Sequence, residues 1–217
     1  MIKQLTPNIP DYELLDTGDG EKLERFGDYV VRRPEPQAIW RKSLSEGKWL
    51  AADASFLRSN KGEERGEWRL KPEMPSRWTV KFDYKEMHLR MRLALTSFKH
   101  VGIFPEQSAN WEFIYDTIHD LRKEGIERPK VLNLFAYTGG ATLAARAAGA
   151  DVTHVDSVKQ VVTWSRENME SSSLDGVRWI VEDATKFVER EVRRGNKHHG
   201  IILDPPAYGR GANGEKW

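Results

Sequence analysis

A chain of 217 residues with 39% hydrophobic and 31% charged side chains can bury one large or two small cores, and its net charge of +1 excludes a uniformly basic nucleic-acid binder. No apolar run reaches the roughly 20 residues that span a bilayer, and the segment Met1 to Leu15 lacks the charged-then-apolar layout of a secretory leader. The absence of cysteine excludes disulfides and thiolate metal sites within the chain, and a cytoplasmic protein is the simplest reading.

Two regions read differently, residues 1–104 and residues 105–217. The first is β-rich. Tyr29-Val30-Val31 is a short strand before Arg32-Arg33-Pro34, and Trp49-Leu50-Ala51 begins another. Pro34, Pro36, Pro72 and Pro75 mark turns or sheet edges. Trp78 to Tyr84 alternates large apolar with polar residues, and Met87, Leu89, Met91 and Leu93 alternate with His88, Arg90 and Arg92. A period of two is the mark of a half-buried strand, so the two runs predict a hairpin turning near Lys85-Glu86. Charge concentrates here: residues 41–104 hold 14 Lys/Arg against 8 Asp/Glu, while residues 1–40 hold 5 against 8 and residues 105–217 hold 15 against 17. Trp49, Trp68 and Trp78 lie in this basic stretch. Basic groups interleaved with aromatics can contact phosphates and stack on bases; the same pattern equally describes a solvated sheet face over a Trp-containing core.

From residue 105 onward, helix and strand alternate. Ser108 is the expected N-cap of a helix carrying Trp111, Ile114, Tyr115, Ile118 and Leu121, ended by Gly125 and Pro129. Val131 to Phe135 is a strand, followed by a glycine turn and an Ala-rich helix that stops at Gly149. Val152 to Val155 is a second strand ending in Asp156, and a helix runs from Val158 to Met169. Val177 to Val181 is a third strand ending at Asp183, with a helix from Ala184 to Arg194. Gly200 to Leu203 is a fourth strand ending at Asp204. This series implies an α/β fold with a Rossmann-like, doubly wound parallel sheet, incomplete at four strands and preceded by a smaller β-rich domain.

Ligands of such sheets bind beyond the carboxyl ends of the strands. Each end here carries a distinctive residue. The first leads into Ala136-Tyr137-Thr138-Gly139-Gly140, where glycine lets backbone approach a ligand and the next helix presents free N–H groups. The second ends in Asp156, suited to grip ribose hydroxyls. The third ends in Asp183, placed to accept from an adenine amino group while the Ala184 N–H reaches a ring nitrogen. The fourth ends in Asp204-Pro205-Pro206. Taken singly, each has a plainer explanation: an ordinary turn, two helix N-caps and a rigid strand exit. Their order is the signal.

Asn133-Leu134-Phe135-Ala136-Tyr137-Thr138-Gly139-Gly140, with Asp204-Pro205-Pro206-Ala207-Tyr208-Gly209, resembles the class I methyltransferases near the bacterial large-subunit rRNA cytosine-5 methyltransferase I group. Phe98 to Gln107 looks like that group's linking segment. The resemblance covers residues 98–217, and no RNA-binding PUA domain is recognisable before it. It implies S-adenosyl-L-methionine as cofactor and RNA, rRNA in particular, as substrate. Phe135, Ala136, Tyr137, Thr138 and Gly139 would face the methionine part, Asp156 and Ser157 the ribose, and Asp183 and Ala184 the adenine. Gln107 would close over the cofactor. Asp204, Pro205 and Pro206 would orient the target base, and Tyr208 would stack on it.

The sequence departs from that group in two ways. Attack through cytosine C5 needs a covalent nucleophile, normally Cys, and the chain has none, so the target atom stays open. The sheet also stops after four strands, which leaves the fourth as an exposed apolar edge. We therefore expect a chain truncated at its C-terminus that binds cofactor weakly and turns over poorly alone. Two other functions fit the same sheet. A nicotinamide-dependent oxidoreductase would want Gly-x-Gly-x-x-Gly after the first strand, which Ala136 to Ala141 does not supply. A non-catalytic RNA-binding module with a vestigial core would not need its acids. No metal is expected, because His198 and His199 are adjacent on a loop rather than at ligand spacing.

Overall fold

The computed structural model describes residues 7–59 and 62–205. They divide into two compact units, residues 1–82 with 91–106, and residues 83–90 with 107–217.

The first unit is built on a five-stranded sheet in the order β1 (Tyr12–Gly18), β2 (Glu21–Phe26), β3 (Tyr29–Pro34), β4 (Ala54–Ser59) and β5 (Gly62–Leu70). Antiparallel hairpins join β1 to β2, β2 to β3 and β4 to β5, whereas β3 and β4 run parallel. Asp19 (φ 50°) and Gly20 (φ 75°) form the two-residue β1–β2 loop. An Asp-Gly pair with both φ positive matches the right-handed twist of the strands it joins.

Trp49 does not begin a strand, as its neighbours suggested. It lies in the short helix α1 (Glu46–Leu50), fully buried, with its indole N–H donating to Asp16 Oδ2 at 3.0 Å. Glu46 in the first turn suits the helix dipole. Asp16 also accepts from the N–H groups of Thr17, Ser43 and Leu44. Burial would raise the Asp16 pKa, but the donors from Leu44, Trp49, Thr17 and Ser43 outweigh it and hold it below the usual carboxylate range. Trp68 and Trp78, both partly buried, make ring contacts and backbone hydrogen bonds. Trp68 meets Phe56 edge-on and donates to the Phe98 carbonyl; Trp78 meets Tyr29 and donates to the Phe26 carbonyl. Trp49 thus belongs to the core, whereas Trp68 and Trp78 are only partly buried.

β6 (Arg77–Tyr84) and β7 (Met87–Ala94) pair as a hairpin that turns at Lys85 (φ 51°). Val80, Phe82, Met87, Leu89, Met91 and Leu93 are buried, as the alternation requires. In the second unit the hairpin tip is held by Tyr84, whose hydroxyl donates to Asp116 at 2.8 Å. Ser172 adds a second tie, its Oγ accepting from the Arg90 N–H at 2.9 Å.

The second unit carries four parallel strands, β8 (Lys130–Leu134), β9 (Asp151–Asp156), β10 (Arg178–Val181) and β11 (Gly200–Leu203), in the order β10-β9-β8-β11. A 3-10 turn (Pro105–Gln107) leads into α2 (Ser108–Lys123). Its N-cap is Gln107, and Ser108 is the first helical residue rather than the cap. The remaining helices are α3 (Gly140–Ala147), α4 (Lys159–Ser171) and α5 (Ala184–Arg193). Leu132, Leu134 and Val155 pack against Phe187 of α5 on one face. On the other face Asn133 and His154 meet Thr142 of α3. Helices on both faces make the sheet doubly wound, and its order reverses between β8 and β11. Ile201 and Leu203 of β11 remain 63% and 60% exposed.

His154 is fully buried, its Nδ1 2.9 Å from Thr142 Oγ1 and its ring 4.8 Å from Trp179. Burial lowers its pKa from 6.5 to about 3. The unfolded chain gains this proton near 6.5 and the folded chain only near 3, so stability is full above that window and falls as pH drops through it. Urea melts at about pH 5 should show a loss of about 2 kcal/mol relative to about pH 7.5. His154→Gln should flatten most of that slope, with His198, also lowered by burial, adding a slope of the same sign. A wild-type stability that is level over the range would refute the assignment.

Candidate functional site

The turn after β8 has an unusual backbone. Phe135 (φ 54°) and Tyr137 (φ 48°) are left-handed, as is Gly139 (φ 91°), the N-cap of α3. For bulky residues such angles are rare and cost about 1–3 kcal/mol each; they persist where the surroundings impose them and cluster at ligand clamps. The surroundings here are visible. Ala136 N–H donates to the Val155 carbonyl at 3.1 Å, and Gly139 N–H to the Ala136 carbonyl at 3.1 Å. Tyr137 N–H donates to Asp156 Oδ2 at 3.0 Å.

Asp156 therefore faces the glycine turn. Its other oxygen, Oδ1, accepts from Val158 N–H at 2.9 Å, which fixes the entry to α4 around the exposed Ser157. Glu182 N–H donates to the Asp156 carbonyl at 3.0 Å, so the exit of β10 is tied to the same point. Asp183 follows and caps α5, its Oδ1 accepting from Lys186 N–H at 3.0 Å. Ala184 is buried as the first residue of that helix. Phe135, Ala136, Tyr137, Thr138, Gly139, Asp156, Ser157, Asp183 and Ala184 thus stand along the carboxyl ends of three adjacent strands.

Asp204 and Pro205 are exposed beyond β11, the strand on the far side of β8. Gln107, expected to close over the cofactor, donates from Nε2 to Asp204 Oδ2 at 3.1 Å. Pro206 and Tyr208 lie outside the described residues. Among the described residues no group of three His, Asp or Glu side chains comes together as metal ligands, and His199 Nδ1 accepts from the Lys130 N–H. No helix among them is long and apolar enough to cross a membrane.

Sequence reasoning missed the residues beneath the turn. Asn168 of α4 is buried and donates from Nδ2 to the Thr138 carbonyl at 2.9 Å. One turn earlier, buried Ser165 presses against Gly139, where an added Cβ would lie 2.0 Å from Ser165 Oγ. Ser165, Asn168 and Ser172 follow helical spacing on the face that packs inward. That polar stripe on an otherwise apolar side was the available signal.

Comparison with known proteins places this geometry in context. The family model Conserved hypothetical protein 95 matches residues 95–213. The crystal structure of the SAM-dependent methyltransferase of Agrobacterium tumefaciens superposes with a TM-score of 0.86 at 41% identity, covering 98% of this chain and 65% of that one. Ribosomal RNA large subunit methyltransferase K/L of Shewanella frigidimarina is 25% identical over 216 residues, 92% of this chain and 29% of that protein. Ribosomal RNA large subunit methyltransferase I of Escherichia coli is 33% identical over 86 residues, 38% of this chain and 22% of that protein. The chain thus spans less than a third of these two curated relatives.

Gly139→Ala should cost about 2 kcal/mol, because it adds a Cβ at positive φ and against Ser165. Adding Ser165→Ala should recover part of the loss by removing the clash while leaving the backbone strain. Urea midpoints of the two variants and wild type decide it, and an unaltered midpoint for Gly139→Ala would contradict the strained turn.

Proposed function

The chain belongs to the Conserved hypothetical protein 95 family, and we propose that it binds S-adenosyl-L-methionine at the carboxyl edge of its parallel sheet and methylates a base in RNA, rRNA in particular. One observation carries the reading: the Asp156 carboxylate is turned onto the left-handed bend after β8. Each of its oxygens gives one lone pair to a backbone N–H, at Tyr137 and at Val158. Each keeps another for a ribose hydroxyl.

The other groups suit the same ligand. Phe135 to Gly139 would line the methionine part with backbone, and Ser157 would flank the ribose. Asp183 caps α5 with Oδ1 and keeps Oδ2 for an adenine amino group. The Ala184 N–H, in the first turn of α5, has no partner within the helix and would donate to a ring nitrogen. The sulfonium supplies an activated methyl group when bound. The work left to the chain is to position the acceptor atom in line. Asp204 would accept a proton-bearing nitrogen of the target base, with Pro205 and Pro206 stiffening the strand exit and Tyr208 stacking on the extruded ring. Residues 105–217 would form the catalytic core, with residues 1–104 contacting RNA. RNA as substrate is supported by the names of relatives that match 92% and 38% of this chain, and a cytoplasmic setting accords with it.

Calorimetry separates this function from a nicotinamide-binding one. S-adenosylhomocysteine should bind and NAD should not. Asp156→Asn should weaken S-adenosylhomocysteine by about tenfold or more, because it loses a charged acceptor. Preference for NAD, or an Asp156→Asn affinity equal to wild type, would overturn the reading.

A further inference from the structure

Gln107 occupies the N-cap of α2, yet its side chain does not cap that helix. It is engaged at both ends elsewhere. Its Nε2 donates to Asp204 Oδ2 at 3.1 Å, and its Oε1 accepts from Asn110 Nδ2 at 2.7 Å. An ionised carboxylate can only accept, so Gln107 must present its NH2 to Asp204. Its carbonyl then faces Asn110, which must present its own NH2. The chain of three side chains has one consistent direction, from amide to amide to carboxylate.

We propose that Gln107 and Asn110 are positioning residues for Asp204, a role that rests on the function assigned above to that carboxylate. Asp204 is exposed beyond the last residue of β11, where its χ angles would otherwise be free. The Gln107 bond fixes one oxygen and leaves the other to receive the N–H of the target base. Asn110 decides which end of the Gln107 amide faces the carboxylate. Neither residue needs to touch substrate or cofactor for this.

A plain helix-start role and the positioning role make opposite forecasts for Asn110→Asp. Asn110 is the third residue of α2, whose first turn has no acid. A carboxylate there favours the helix dipole, so the folded chain should be as stable as wild type or more so. It cannot donate to Gln107, however. It would draw the Gln107 NH2 to itself, turn the carbonyl toward Asp204 and set two acids competing for one amide. Asn110→Ala removes the director without adding the competitor.

The test uses the whole chain, with tritiated S-adenosylmethionine and bulk large-subunit rRNA as acceptor, beside carboxyl-carbon NMR of Asp204. Asn110→Ala should lower kcat by about threefold and Asn110→Asp by about tenfold, since a hydrogen bond to a charged group is at stake. The S-adenosylhomocysteine Kd should stay within about twofold and Tm should not fall. The Asp204 carboxyl-carbon chemical shift at neutral pH should move in Asn110→Asp relative to wild type, as expected when the amide donor to that oxygen is lost. An unmoved Asp204 carboxyl-carbon shift, or an Asn110→Asp kcat equal to wild type, would overturn the proposal. If wild type neither binds S-adenosylhomocysteine nor transfers methyl, the functional reading fails instead, and the Asp204 carboxyl-carbon shift still reports on the three-residue chain.

Discussion

The carboxylate of Asp156 is the constraint on which the second unit depends. It reaches from the end of β9 to the bend after β8 through Tyr137 and to the start of α4 through Val158. One side chain thus sets both the entry to the helix that follows it and a bend 19 residues earlier in the sequence. Without it the left-handed angles at Phe135 and Tyr137 would relax toward commoner ones, since two such residues together store several kcal/mol (about 1–3 each). Asp183 looks similar in sequence but does a local task, closing the first turn of α5. The acid at the second strand organises the bend after β8, and the acid at the third caps its own helix.

The alternation of the second unit was legible because buried parallel strands are continuous apolar runs and their helices carry a clear 3.6-residue period. Boundaries agree within about two residues, the usual scatter of helix and strand ends. The first unit was less legible. β1 and β2 are rich in Glu, Lys and Asp, and their buried positions include charges. Trp49 beside Leu50 suggested a strand, although Ser45-Glu46 ahead of them is a helix start. Nothing local to Gln107 announces its bond to Asp204, 97 residues away.

The charges buried in the first unit explain the misreading. Glu24 and Arg33 are 1% and 4% exposed. They form a two-pronged pair across β2 and β3, with Nε to Oε2 at 2.7 Å and Nη2 to Oε1 at 2.9 Å. Tyr12 adds its hydroxyl to Oε1 at 3.1 Å, and the Lys99 carbonyl accepts from Arg33 Nη1. Desolvation offsets most of what such a pair gains, so its value lies in penalising other arrangements more than in raw stability. A strand shifted by one residue would bury one of these charges without the other.

The polar stripe of α4 has a consequence for which lengths of chain the fold accepts. Asn168 holds the Thr138 carbonyl, and Ser172, four residues on, donates to the Asn168 carbonyl and accepts from Arg90. The bend after β8 and the tip of the β6–β7 hairpin are therefore registered against one helix. Inserting or deleting a single residue within α4 would rotate the stripe by roughly 100° and strand donors at both places together. Natural variation in length should accumulate past Ser173, in the link to β10, and be rare between Lys159 and Ser172.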